Sequence, residues 1–115
     1  MFKPLMLFSA ALTAGAVWAN PPTPSPAAQR GLAIASQRCV HCHSLGANAA
    51  SPNPEAPPLA DVANHPDVTA KTLRRFLTDS HNFPEAMGFA LDRKAARDLS
   101  AYLLTLKSMH YRPGI

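Results

Sequence analysis

The chain has 115 residues, a length that allows one domain. Its formal net charge of +4 is too small a basic excess to predict nucleic-acid binding. Its two cysteines permit at most one disulfide, so a disulfide-rich scaffold is excluded. Hydrophobic residues make up 47% of the chain, but many of them are alanines. Because a chain this small buries a thin core, we expect something besides side chains to fill its centre.

The N-terminus has the layout of a secretory signal peptide. Lys3 supplies a short basic start, residues 5–17 carry no charge, and Val17 and Ala19 occupy the cleavage-site positions. This run of 13 residues is shorter than the roughly 20 needed to span a bilayer, so no stable membrane insertion is expected. We predict cleavage after Ala19 and export to the periplasm, an oxidising compartment where a bare C-x-x-C tends to form a disulfide.

The mature chain begins with a proline-rich spacer and a helix. Residues 20–26 contain four prolines in seven positions, which favours an extended segment outside the fold. Residues 27–39 are rich in helix formers and contain Gly31, which is often explained by close packing of another helix. Residues 44–66 contain five prolines, which predict a long loop without a regular helix or strand. A loop of that length indicates function or a bound group.

Two more helices are predicted in the second half of the chain. One covers Thr69–Asp79 and the other Asp92–Leu106, each beginning at an N-cap residue, Thr69 or Asp92. No segment shows sustained strand alternation, so we predict an all-α domain over residues 27–108 followed by a tail over 109–115. On the last helix a solvated face is expected to hold Arg93, Lys94, Arg97 and Asp98.

The sharpest motif is Cys39-Val40-His41-Cys42-His43, a C-x-x-C-H sequence that is typical of c-type haem attachment. Residues i and i+3 of a helical turn lie on one side, so both thiols can add to the vinyl groups of one haem. His43 then lies beneath the ring, where it can bind the iron as the proximal ligand. The motif therefore predicts one haem c, held by two thioethers from Cys39 and Cys42.

Three other chemistries fit parts of this motif. A thioredoxin-type dithiol needs a βαβ context, whereas an alanine-rich helix precedes Cys39. A zinc site that combined the two cysteines with His43 and His65 matches no familiar ligand spacing. A structural disulfide leaves His43 without a role. The export signal, the long loop and the thin core together favour haem.

With these residues in place, the chain resembles a small, periplasmic, mono-haem class I c-type cytochrome over most of its mature length. The match includes Gly31 before the motif, the turn at residues 56–60 and the closing-helix sequence at residues 98–103. The resemblance implies three main helices and long loops wrapped around one covalently attached haem, with Gly31 facing Tyr102. It also implies that Pro57 or Pro58 presents its backbone carbonyl to His43 and so orients the imidazole.

The sixth iron ligand is implied by the same resemblance. The family supplies a methionine from the loop before the last helix, and the methionine in that loop here is Met87. No proline follows Met87, whereas the family often has Met-Pro. In some relatives Met-Pro stands at the position of Phe83-Pro84. The alternatives are a bis-histidine site with His81, or an open iron with Met87 as a gap-filling core residue. A thioether ligand raises the reduction potential. The candidate walls of the haem pocket are Pro57, Pro58, Leu59, Leu73, Phe76, Phe83 and Phe89.

The resemblance implies a one-electron carrier whose iron cycles between Fe(II) and Fe(III) and which transforms no substrate itself. Its partners are then redox proteins, namely a donor dehydrogenase and an acceptor oxidase or reductase. The protein itself would be a monomer or a subunit of a hetero-complex. One alternative is an electron-accepting subunit of a periplasmic dehydrogenase complex. The other is a haem sensor or a peroxidase-like protein, which needs an open distal site.

Overall fold

The computed structural model describes residues 15–16, 19–46, 49–79, 83–108 and 110–113. No strand occurs in these ranges, and no helix there has the length and apolar character needed to cross a bilayer. The predicted all-α class is therefore confirmed. The helices are α1 (Pro26–Arg38), α2 (Leu59–Asn64), α3 (Ala70–Thr78), a short 3-10 helix (Glu85–Met87) and α4 (Arg93–Thr105).

The predicted helices begin and end within one residue of the expected bounds, because local capping chemistry fixes their starts. In α1, Ser25 Oγ accepts a hydrogen bond from Ala28 N at 3.2 Å, and Pro26 takes the first helical position, where a missing N–H costs nothing. The helix thus includes the last residue of the expected spacer. Helices α3 and α4 begin after the predicted N-caps, Thr69 and Asp92.

The prediction that residues 44–66 contain no regular helix is wrong, because α2 covers Leu59–Asn64. Pro58 occupies its N-cap position and the next proline is Pro66, so the six helical residues between them keep their backbone donors. Asn64 ties the helix to the end of α4, since its Nδ2 donates to Leu106 O at 3.0 Å. The proline-rich segment therefore ends in an anchored helical turn.

Helices α1 and α4 cross in direct backbone contact at Gly31. A Cβ atom at this position would lie 2.6 Å from the backbone carbon of Asp98 and 2.7 Å from Tyr102 Cβ, so only glycine fits. The predicted pairing of Gly31 with Tyr102 is confirmed. The buried core around this crossing consists of Ala35, Leu59, Leu73, Leu77, Ala96, Leu99, Tyr102 and Leu103.

The prediction that Asp98 belongs to a solvated face is wrong, since this residue is only 4% exposed. Its two carboxylate oxygens accept from Arg30 Nε at 2.7 Å and from Arg30 Nη2 at 2.9 Å, and Lys94 Nζ donates to Oδ2 at 2.8 Å. The hydrogen bonds from Arg30 and Lys94 hold the pKa of Asp98 well below its usual range. The carboxylate therefore joins α1 to α4.

We expect Asp98→Asn to lower the melting temperature of the haem-loaded protein most strongly at neutral pH. Because the folded-state pKa is depressed, the stability that this carboxylate contributes is present above its unfolded pKa of about 4. That contribution decreases as the pH falls below the unfolded pKa toward the folded value, so the difference between wild type and variant narrows. Thermal melts between about pH 7 and pH 2 measure this narrowing.

The matched control for this pH series is Asp67→Asn, because the Asp67 side chain is 92% exposed. An exposed carboxylate contributes little to stability, so this variant should follow the wild-type melting curve across the pH range. A constant difference between Asp98→Asn and wild type at every pH would contradict the account of the Arg30–Asp98–Lys94 contact.

Candidate functional site

An apolar cavity of about 230 Å³ lies between the loop after α1 and the helices α2, α3 and α4. It brings together most of the residues that the sequence predicted for the site, from several segments that are distant along the chain. The predicted residues on its walls are Cys39, His43, Pro57, Leu59, Leu73, Phe76, Met87 and Phe89.

Three other predicted site residues do not line the cavity. Cys42 is half-buried in the turn beside it, and Pro58 stands at the N-cap of α2. Phe83 lies one layer behind the wall, where its ring packs against Phe76 at a centroid distance of 5.2 Å and against Phe89 at 5.5 Å. The structure therefore places Phe83 as a support for the pocket residues.

The C-x-x-C-H motif forms a tight turn that continues the end of α1. Cys39 N donates to Ala35 O at 2.8 Å, and the backbone N–H groups of Cys42 and His43 both donate to Cys39 O, at 3.1 and 2.8 Å. The two cysteines form no disulfide with each other. Burial raises the pKa of the Cys39 thiol, which keeps it neutral at the apolar wall. This turn places Cys39 and His43 on the same cavity.

The imidazole of His43 is oriented by a backbone carbonyl. Its Nδ1 lies 2.6 Å from Pro57 O, a hydrogen bond in which the ring N–H donates. The carbonyl of the other candidate, Pro58, instead accepts from the backbone N–H of Asp61 at 2.9 Å as α2 begins. With the proton on Nδ1, the Nε2 lone pair is available to a metal, and the carbonyl makes the imidazole a stronger donor.

Met87 reaches the same cavity from the segment before α4. It ends the short 3-10 helix Glu85–Met87 and is half-buried, with Pro84 and Phe89 beside it on the wall. The cavity is therefore lined by an imidazole, contributed by His43, and by a soft thioether from a different segment of the chain. The alternative ligand His81 lies outside the described residues.

Five residues on the cavity wall were missed as site residues. Leu77, Leu99 and Leu103 belong to the apolar stripes of α3 and α4, so helical periodicity marks them as buried but does not distinguish core from pocket. Val62 and Pro84 lie in segments that were predicted to be irregular, and no local pattern points to them.

The cavity suits a large, flat, apolar prosthetic group that carries a metal. Its walls are apolar, one imidazole and one thioether offer donors to iron, and a thiol stands at the edge. The zinc alternative has no support in the described part of the chain, where no group of three or more His, Cys, Asp or Glu side chains is placed to hold a metal ion. When bound, haem c supplies an iron that accepts and releases one electron.

The fold and the site together define a class I c-type cytochrome. In agreement, the family model for cytochrome c matches residues 28–107, which is well over half of the chain. The chain belongs to the cytochrome c family, whose members bind haem c covalently and carry electrons. The searches of curated proteins and of solved structures returned no match.

Proposed function

We propose that this protein is a periplasmic one-electron carrier with a single haem c. Cys39 and Cys42 hold the haem through thioethers, and His43 and Met87 bind its iron. The observation that carries this proposal is the shared cavity, on which Cys39, the carbonyl-oriented His43 and Met87 all stand. The chain has two cysteines and one C-x-x-C-H motif, which is the number that one haem c requires.

The site supports fast electron exchange in two ways. An iron held by His43 and Met87 in both Fe(II) and Fe(III) states keeps its ligands, so little rearrangement accompanies electron transfer. The apolar walls disfavour the additional positive charge of Fe(III), and a soft thioether favours Fe(II). Both effects raise the reduction potential. We therefore place the protein between a donor dehydrogenase and an acceptor oxidase or reductase of higher potential.

Export to the periplasm is part of the same proposal. Its support is the basic start at Lys3, the uncharged run over residues 5–17 and the small residue Ala19 at the cleavage position. The first described helix begins at Pro26, so cleavage after Ala19 leaves a short segment before the fold. The mature carrier then starts at Asn20.

Met87→Ala is expected to remove the thioether ligand and lower the reduction potential of the haem. The oxidised wild-type protein should show the weak absorption band of a thioether–Fe(III) bond, and the variant should lose it. Absorption spectroscopy under controlled potential measures the thioether band and the reduction potential in one sample. Survival of the band in Met87→Ala would show that another residue is the ligand.

Met109→Ala is the matched control, because Met109 is the other methionine of the mature chain. It should retain both the band and the potential of wild type. Loss of the band in Met109→Ala instead of Met87→Ala would move the ligand to the C-terminal tail and contradict the site proposed here.

A further inference from the structure

The two sides of the cavity are held in place by different forces. On the His43 side, hydrogen bonds connect the motif to the loop that follows it. Asn53 N donates to Cys42 O at 3.2 Å, Leu59 N donates to Ser44 O at 2.9 Å, and His43 Nδ1 donates to Pro57 O at 2.6 Å. This side is therefore fixed by directional bonds between segments that are distant along the chain.

Among the described residues, the Met87 side of the cavity has no such bonds. Within residues 83–91 the backbone hydrogen bonds run from Met87 N to Pro84 O at 2.8 Å and from Phe89 N to Met87 O at 2.7 Å, both inside the segment. Within the described ranges, no hydrogen bond joins this segment to another part of the chain. Apolar contacts must therefore hold it over the cavity.

Phe83 makes apolar contacts of this kind through its ring. Its ring is tilted against Phe76 of α3 at 5.2 Å and against Phe89 at 5.5 Å, so it connects the Met87 segment to α3. Tilted aromatic pairs at these distances are stabilising beyond the area they bury. Phe83 therefore occupies the position from which the Met87 segment is tied to the helix.

The same segment also forms a thin wall between the cavity and solvent. On its outer side is an open groove of about 360 Å³, lined by Phe83 among others. Pro84, Met87 and Phe89 line both this groove and the inner cavity. A displacement of Met87 would connect the two spaces.

We propose that Phe83 is a positioning residue for Met87, and that weakening its ring contacts lets a small neutral ligand replace Met87 on the iron from the outer groove. In this exchange the iron–sulfur bond breaks and an iron–nitrogen or similar donor bond forms. The oxidation state of the iron does not change, and a neutral ligand brings no proton. The inference rests on the proposed ligation of the iron by Met87.

The expected size of the effect follows from the population of the open segment. An exogenous ligand binds only when Met87 has left, so its apparent dissociation constant falls as the open fraction rises. Loss of the ring contact with Phe76, which joins the segment to α3, and of the contact with Phe89, which supports the segment from within, should raise that fraction about tenfold or more. The hydrogen bond from His43 to Pro57 does not involve this segment, so the His43 imidazole should keep its orientation.

Imidazole, a small neutral ligand, is the probe for this test, added to the oxidised haem-loaded protein and followed by absorption. Phe83→Ala should bind imidazole with an apparent dissociation constant about tenfold or more below wild type. Phe83→Tyr keeps the ring and should restore the wild-type value. Phe83→Leu keeps apolar volume without the ring, so its dissociation constant for imidazole should lie between those of Phe83→Ala and wild type. It replaces the alanine variant in the test if that variant folds poorly.

Leu32→Ala is the control, since Leu32 is an apolar residue of α1 that is 44% exposed and lines neither space. Equal imidazole affinities in Phe83→Ala, Phe83→Leu and this control would overturn the inference while the thioether band of wild type still supports Met87 ligation. A wild-type spectrum without that band would contradict both the ligation and the role of Phe83.

Discussion

Gly31→Ala is expected to destabilise the haem-loaded protein by about 3 kcal/mol or more, at the upper end of what overpacking of a core costs. The added methyl group would overlap the backbone carbonyl oxygen of Asp98 and lie 2.7 Å from Tyr102 Cβ. A side chain could rotate away, but a carbonyl of α4 moves only with its helix. Relief of the overlap therefore requires α1 and α4 to separate.

Separation of α1 and α4 affects the site as well as stability. Helix α1 ends at the C-x-x-C-H turn, whereas Leu99 and Leu103 of α4 form part of the cavity wall. The Arg30–Asp98 bonds at 2.7 and 2.9 Å also span the two helices. We expect a melting temperature roughly 10–20 °C below wild type, measured by circular dichroism on the haem-loaded protein.

The control for this substitution is Gly46→Ala, in which the new methyl group would meet its nearest neighbour, Ala49 Cβ, at an ordinary 3.6 Å. Its melting temperature should stay close to that of wild type. Equal melting temperatures for Gly31→Ala and Gly46→Ala would show that the helices do not cross in backbone contact, and would contradict the packing described above.

A second large effect is expected when both attachment cysteines are removed. In the double variant Cys39→Ser, Cys42→Ser the haem has no covalent link and is lost on purification. An apolar cavity of about 230 Å³ left unfilled costs about 5.5 kcal/mol, at roughly 24 cal/mol per Å³. Since small domains are stable by only about 5–15 kcal/mol, the haem-free chain should be largely unfolded.

Far-UV circular dichroism measures the helix content of this variant and of haem-loaded wild type at the same concentration. Wild type should show the helices α1 to α4, and the variant should lose most of that signal. The double variant Ser36→Ala, Gln37→Ala is a control with as many substitutions, at exposed positions of α1 outside the cavity, and it should keep both haem and helix content. A haem-free double-cysteine variant with wild-type helix content would contradict the idea that the haem completes the core.

Local features of the sequence predicted the parts of the fold that depend on neighbouring residues. The N-caps at Thr69 and Asp92 and the spacing of Cys39, Cys42 and His43 are all read within a few positions. The close approach at Gly31 is different, because the residue it meets lies far along the chain. It was predicted from the family resemblance, and the crossing of α1 with α4 gives its physical reason.

The misses depend on contacts between distant positions. Asp98 looks like part of a charged helix face until Arg30, 68 positions away, is placed against it. Phe83 shares its aromatic character with true wall residues, and only packing puts it behind Phe76 and Phe89. Helix α2 was hidden because prolines on both sides of it suggested an unbroken loop, although a proline at a helix start is compatible with the helix.

The mass of the intact protein under denaturing conditions tests most directly whether Cys39 and Cys42 hold one haem covalently in an exported protein. The protein is expressed with its own N-terminus in a host that exports it and attaches haem. We predict the mass of the chain from Asn20 to Ile115 plus that of one haem, because thioethers survive denaturation. A mass equal to the polypeptide alone, or two hydrogens below it as a disulfide would give, would contradict the account.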